Sequence, residues 1–233
     1  MKSITKEKIE ELKKAFYQAE HDKSNLREFD RDLYGASGHK IKHLINNLAS
    51  TVSNSTFLEF GVYRGSTMVA ALYETKVKKW YGIDDFTLDY KEADFYKKSG
   101  WSNARATANE LLAIRYSDIR IDPKREIVII EKEAKLVDIT DLPKTVDFIH
   151  YDLDTHHATV ESILRMYLKI FDTYTVLIVA NWNAKGVRAS FSNFQKTPGL
   201  IFTDLGHKQS RNTADNENWY NGVSLWLVEK ELD

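Results

Sequence analysis

The chain has 233 residues and a formal net charge of −1, enough length for one α/β core with added elements. Its 33 basic and 34 acidic residues are interspersed, with no basic stripe of the kind that binds nucleic acid. The lack of cysteine excludes disulfides, thiolate metal sites and a cysteine nucleophile and suits a cytoplasmic protein. No apolar run reaches membrane-spanning length, and the first residues, Met1-Lys2-Ser3-Ile4-Thr5, open no signal-peptide core.

In chain order, residues 4–20 read as a helix with Ile9, Leu12, Phe16 and Ala19 on one face. Residues 24–38 are polar and break at Gly35 and Gly38. A second helix over 40–51 carries the stripe Ile41, Leu44, Ile45, Leu48. These helices precede the first strand, so residues 1–54 form an N-terminal extension that covers the sheet, closes over a ligand as a lid, or makes a homo-oligomer contact.

The rest, residues 55–233, alternates strand and helix. Strands are expected at 56–60, 78–83, 126–131, 146–151 and 175–180, with helices at 65–76, 104–116, 157–171 and 185–195. Two more strands, 200–206 and 222–229, flank the polar loop 206–221 with no helix between them. Strands separated by helices imply parallel pairing, and the final pair implies an antiparallel hairpin at one sheet edge.

The densest signal is Phe57-Leu58-Glu59-Phe60-Gly61-Val62-Tyr63-Arg64-Gly65-Ser66-Thr67. It reads as a strand, a glycine turn and a helix start, where backbone can approach a ligand closely. Asp84 ends the next strand, 23 residues after Gly61, the position of a ribose-binding carboxylate in nucleotide-binding βαβ units. A dinucleotide turn would add a third glycine and a pyrophosphate on the helix terminus. Here Glu59 stands just before the turn, repelling a pyrophosphate and welcoming an amino group.

This carboxylate-then-glycine turn resembles the first motif of class I S-adenosylmethionine-dependent methyltransferases. Together with Gly82-Ile83-Asp84-Asp85-Phe86, Phe148-Ile149-His150-Tyr151-Asp152-Leu153-Asp154-Thr155 and Val176-Leu177-Ile178-Val179-Ala180-Asn181-Trp182-Asn183, it is similar in order and spacing to the macrocin O-methyltransferase-like group over residues 55–195. The resemblance implies a Rossmann-like α/β fold with a mostly parallel seven-stranded sheet in the order 3-2-1-4-5-7-6 and helices on both faces. It implies that Glu59 and the turn Gly61, Tyr63, Gly65, Ser66 and Thr67 hold the methionine part of the cofactor. Asp84 would take the ribose hydroxyls, Glu131 and Lys132 would flank the adenine, and Asp152 would approach the methionine amino group or the acceptor. Relatives often bind Mg²⁺ through a strand-four aspartate and an acidic pair after strand five. Here the pair's positions hold Ala180 and Asn181, a poor set for a hard cation, so a functional metal is disfavoured, with Mg²⁺ kept as the lesser alternative.

Methyl transfer to an alcohol requires loss of a proton. His156 or His157 can serve as that base because histidine titrates near neutral pH, and Asp152 is the third candidate. His150, inside a strand, reads as a satisfied core histidine. Phe86, Tyr90, Tyr96 and Trp101 are candidates to wall the acceptor, and Asn181, Asn183 and Arg188 to give it a polar rim. The expected acceptor is a small polar molecule, a sugar or biosynthetic metabolite, methylated on oxygen or nitrogen, and not a nucleic acid or a membrane lipid. Two alternatives stand beside this reading: a NAD-dependent oxidoreductase, and a catalytically silent module that keeps the fold.

Overall fold

The structure, a computed structural model, describes residues 5–33, 35–87, 108, 124–153, 160–210 and 217–231. Seven strands form one sheet: β1 (Ser55–Phe60), β2 (Val77–Asp84), β3 (Glu126–Glu131), β4 (Val146–Tyr151), β5 (Phe171–Ala180), β6 (Leu200–Lys208) and β7 (Val223–Lys230). Their order is β3-β2-β1-β4-β5-β7-β6. The first five pair in parallel and β7 runs antiparallel to both β5 and β6, as the helix-free hairpin predicts.

Period-two alternation sends side chains to two separate cores. Phe57, Phe148, Val176 and Ile178 face one side. Leu58, Phe60, Ile149, Leu177 and Val179 face the other. The first side is covered by α1 (Lys6–Glu20), α3 (His39–Ala49) and α4 (Ser66–Leu72), the second by α5 (Val160–Met166) and α6 (Lys185–Phe194). The expected stripe Ile41, Leu44, Ile45 and Leu48 is fully buried, and Phe16 of α1 stacks on Trp219 at 5.1 Å between ring centroids. The N-terminal helices therefore share one core with the sheet.

Buried polar groups fix how that layer sits. Asn46 Nδ2 of α3 donates to the carbonyls of Ala70 (2.9 Å) and Tyr73 (2.8 Å), and its Oδ1 accepts from the Asn25 amide at 3.0 Å. Every hydrogen-bonding group of this amide is thereby matched, as burial demands. Lys42 Nζ donates to the carbonyls of Arg31 (2.7 Å) and Leu33 (2.5 Å), and burial lowers its pKa to about 8. It holds the connection from α2 (Glu28–Arg31) toward the sheet. That short helix lies inside the segment 24–38 that sequence left irregular, because one turn carries too little periodicity to register.

Element boundaries differ modestly from expectation. β5 begins four residues earlier, at Phe171, where it pairs with Val146 before a register shift. The helix expected over 157–171 ends at Met166 and gives way to a 3₁₀ turn, Leu168–Ile170. The helix expected over 104–116 lies outside the described residues, save Ala108. Among the described residues no helix is long and apolar enough to cross a membrane.

Candidate active site

All the parallel strands end on the same rim, and a cavity of about 530 Å³ opens there. Its volume falls within the roughly 300–1,000 Å³ of small-molecule sites. Gly61 (φ 89°) turns the chain out of β1. A Cβ on it would lie 2.3 Å from the Asp152 carbonyl oxygen, so only glycine lets the ends of β1 and β4 meet this closely. Tyr63 follows with φ 47°, and its amide donates to Asp84 Oδ2 at 2.7 Å. The Phe86 amide donates to Asp84 Oδ1 at 2.7 Å. Burial raises the Asp84 pKa against these two bonds. The carboxylate thus locks the glycine turn of β1 to the end of β2 while still lining the cavity; each oxygen keeps a lone pair for a further donor.

Glu59 and Gly65 sit behind this surface. Glu59 is fully buried; its Oε1 accepts from the Thr67 hydroxyl and lies 3.1 Å from His150 Nδ1. Burial pulls the His150 pKa down, but the hydrogen bond and charge of Glu59 outweigh it and the net shift is upward. The two side chains thus form a buried hydrogen-bonded pair linking β1 to β4. Glu59 Oε2 and His150 Nε2 are buried with no hydrogen-bond partner among the described residues, an arrangement that costs free energy unless the site uses it. Thr67 and Ser66 reach the cavity wall, whereas Glu59 acts from beneath it.

At the end of β3, Lys132, Glu133, Ala134 and Lys135 line the cavity. The Lys132 amide donates to the Asp84 carbonyl at 3.1 Å. Glu131, expected beside Lys132 at the adenine, is instead exposed and outside the lining; alternation turns its side chain away from its neighbour's.

The opposite end is built from neutral polar side chains. Asp152 Oδ1 accepts from Asn181 Nδ2 at 2.9 Å and Oδ2 from the Ser37 hydroxyl at 3.3 Å. Burial pushes its pKa up to about 6; the His150 charge and both hydrogen bonds oppose that rise, and Glu59 adds to it. Asn183, Tyr220 and Asn221 complete this end, and Leu153, Ile163 and Ala184 give an apolar wall. Trp182, between the two asparagines, turns inward against Phe191 and Trp226.

Several sequence expectations resolve differently. Phe86 is buried in the core rather than walling the acceptor. Arg188 Nη1 donates to the Asn183 carbonyl at 2.8 Å, bracing the turn after β5 rather than lining the cavity. His156, His157, Asp154, Tyr90, Tyr96 and Trp101 lie outside the described residues. Ser37, Tyr220 and Asn221 were missed because they sit in polar loops with no periodic signal. The nearest sequence hint was Gly35: a Cβ there would lie 2.1 Å from Ser66 Oγ, which seats the loop of Ser37 on the start of α4. Backbone strain also marks the rim. Tyr63, Phe86, Asn181 and Tyr220 are non-glycine residues with φ between 47° and 57°, a costly conformation that gathers at ligand sites.

A hard cation does not fit the donor set of the described residues. Ala180 is buried and apolar, and the Asn181 group facing Asp152 is an N–H donor, where a cation needs oxygen. Among the described residues no group of three or more His, Asp or Glu side chains is arranged to hold a metal ion.

No family model and no curated protein matches the chain. Solved structures do. The O-methyltransferase TomG of Streptomyces achromogenes, solved with S-adenosylmethionine, aligns with a TM-score of 0.55 at 15% identity over 94% of this chain and 90% of its own. The chain has the class I methyltransferase fold. The S-adenosylhomocysteine-bound methyltransferase PaMTH1 of Podospora anserina aligns with a TM-score of 0.55 at 12% identity, over 98% and 89%. Precorrin-6y C5,15-methyltransferase of Geobacter metallireducens gives 0.55 at 9%, over 82% and 89%. The fold is thus shared with one protein named for a precorrin acceptor and another named for tomaymycin synthesis.

Proposed function

We propose that the chain is an S-adenosylmethionine-dependent methyltransferase acting on a small polar acceptor, a sugar or a biosynthetic metabolite, at oxygen or nitrogen. The observation that carries this reading is the division of one cavity on the rim of a class I fold. One end joins the Gly61–Tyr63 turn to a half-buried strand-end carboxylate, Asp84. The other presents Asp152 among neutral amides and hydroxyls.

The residues fit the cofactor. Asp84 offers lone pairs to ribose hydroxyls, and the segment 132–135 borders the space beside it. The Glu59–His150 pair beneath Thr67 puts one carboxylate oxygen, without a hydrogen-bond partner among the described residues, under the methionine end. When bound, the cofactor supplies a methyl group on a sulfonium that is already a strong electrophile. The chain must then align the acceptor and exclude water. Leu153, Ile163 and Ala184 supply the apolar wall. Asp152 is the described side chain placed to take an acceptor proton, and it is ionised above about pH 6; His156 and His157 remain candidates beside it. The hydroxyls and amides of Ser37, Asn181, Asn183 and Asn221 suit an acceptor rich in hydroxyl groups, in keeping with the macrocin O-methyltransferase-like resemblance.

Titration calorimetry tests the cofactor. S-adenosylmethionine or S-adenosylhomocysteine should bind in the micromolar range, about −8 kcal/mol. Tight binding of NADH with no response to either sulfur compound would move the assignment to an oxidoreductase.

A further inference from the structure

Three side chains from distant parts of the sequence form a directed line. Asn221, in the turn before β7, donates through Nδ2 to Asn181 Oδ1 at 3.2 Å. Asn181, just after β5, donates through Nδ2 to Asp152 Oδ1 at 2.9 Å. The direction follows from chemistry. An ionised carboxylate only accepts, so Asn181 must present its NH₂ group to Asp152. Its carbonyl then points back, and Asn221 must donate. Flipping the Asn181 amide would set oxygen against oxygen at one end and NH₂ against NH₂ at the other.

The scaffold holds both amides in place. Asn181 has φ 57°, a left-handed conformation that asparagine tolerates better than most residues. The Asn183 amide donates to the Asn221 carbonyl at 2.8 Å and the Trp182 amide to the Gly222 carbonyl at 3.2 Å. The Asn183 side chain bonds both ways with the backbone of Ser210, at 2.9 and 3.0 Å. The charged groups facing Asp152 are Glu59 from β1 and His150 from β4, and both act from below the cavity floor.

We propose that Asn181 and Asn221 are positioning residues that do for Asp152 what a bound divalent cation does in metal-using relatives: their amides fix the carboxylate at the acceptor end of the cavity, and an N–H group fills the ion's place. A cation orients a carboxylate by accepting its lone pairs. The Asn181 amide does the same with a neutral donor, and the Asn221 bond polarises that donor further. The site is thus built to work without metal. This rests on the methyltransferase reading for the role of the cavity, but its test reads the metal and the carboxylate directly, so it can fail while cofactor binding stands.

The experiment is an electron paramagnetic resonance titration of the full chain with Mn²⁺, with and without S-adenosylhomocysteine. Wild type should show no bound Mn²⁺ at sub-millimolar metal. Asn181→Asp keeps the left-handed backbone and sets a second carboxylate beside Asp152, so it should gain a site at least about tenfold tighter. Mn²⁺ bound equally by wild type, or absent from a folded Asn181→Asp chain that still binds S-adenosylhomocysteine, would overturn the proposal. Asn181→Gly gives an independent reading, since it tolerates the backbone and deletes the amide. In ¹³C spectra of aspartate-labelled protein, with the Asp152 signal assigned through Asp152→Asn, the carboxyl should titrate higher in Asn181→Gly than in wild type, because a donor to the charged form is lost. An unchanged midpoint would show that the amide does not hold the carboxylate.

Discussion

The two ends of the cavity are built by different means. At the Asp84 end, a carboxylate is tied by backbone amides of Tyr63 and Phe86, next to a turn that only glycine permits. At the Asp152 end, the carboxylate is tied by side chains, Ser37 and Asn181, delivered from loops 115 and 29 positions away. Backbone ties depend on the path of the chain, so they tolerate few changes in residues 57–67. Side-chain ties can be exchanged one at a time while the path stays. The first end thus suits a constant ligand and the second a variable one.

The sharpest way to break that contrast is Gly61→Ala. The new Cβ would meet the Asp152 carbonyl at 2.3 Å, in a left-handed backbone. Overpacking and φ strain together should cost about 3 kcal/mol, read as a lower midpoint in urea unfolding, with S-adenosylhomocysteine binding lost. Gly186→Ala is the control: it is exposed in α6 with nothing within 4 Å and should be neutral or stabilising by about 0.5–1 kcal/mol. Equal behaviour of the two variants would remove the close approach of β1 and β4 from the argument.

Next in size is Asp84→Ala. It deletes two backbone hydrogen bonds and the carboxylate proposed for the ribose, so S-adenosylhomocysteine should bind about 1–3 kcal/mol more weakly. Calorimetry also separates the two roles. If unfolding stability falls while affinity for the remaining folded protein is unchanged, Asp84 serves only the turn.

The same contrast explains what the sequence made legible. The seven strands and the edge hairpin were readable because each strand carries an apolar run and the helix-free connection between the last two marks the hairpin, whereas the strand order rests on the family resemblance. The Asp84 end was readable because its parts lie within one βαβ unit. The Asp152 end was half readable: Asp152, Asn181 and Asn183 stand at strand ends, but Ser37 and Asn221 come from polar loops whose docking depends on tertiary packing. Glu59 is legible in the sequence as a carboxylate just before the turn. Its burial against His150 was not legible, because strand pairing sets it: Glu59 and His150 are register partners of β1 and β4.

Asp152→Asn probes the side-chain end with a smaller effect and a definite pH signature. The Asp152 pKa rises from 3.8 unfolded to about 6 folded, so the native state holds the proton more tightly. This group's contribution is most favourable below pH 4 and is lost as pH rises to about 6. Asparagine removes that loss. The variant should therefore gain on wild type between pH 4.5 and 7 by about 1–2 kcal/mol in urea unfolding, after allowing for the solvent that its cavity-facing side meets. A difference that stays flat across this range would mean that the hydrogen bonds, not the buried charge, dominate at this position.

The smallest expected effect falls on Glu131. It ends β3 opposite Asp84 in register, which is where the resemblance implies an adenine-flanking acid. Its side chain is exposed and outside the cavity lining, whereas the following residues 132–135 line it. Surface substitutions away from a packed or ligand-bearing site usually stay within about 0.5 kcal/mol. Glu131→Ala should accordingly leave both urea stability and S-adenosylhomocysteine affinity within about twofold of wild type. A tenfold loss of affinity with unchanged stability would instead return Glu131 to the adenine side of the cavity. It would also mean that the end of β3 closes over the ligand, extending to that strand the backbone-built character of the Asp84 end.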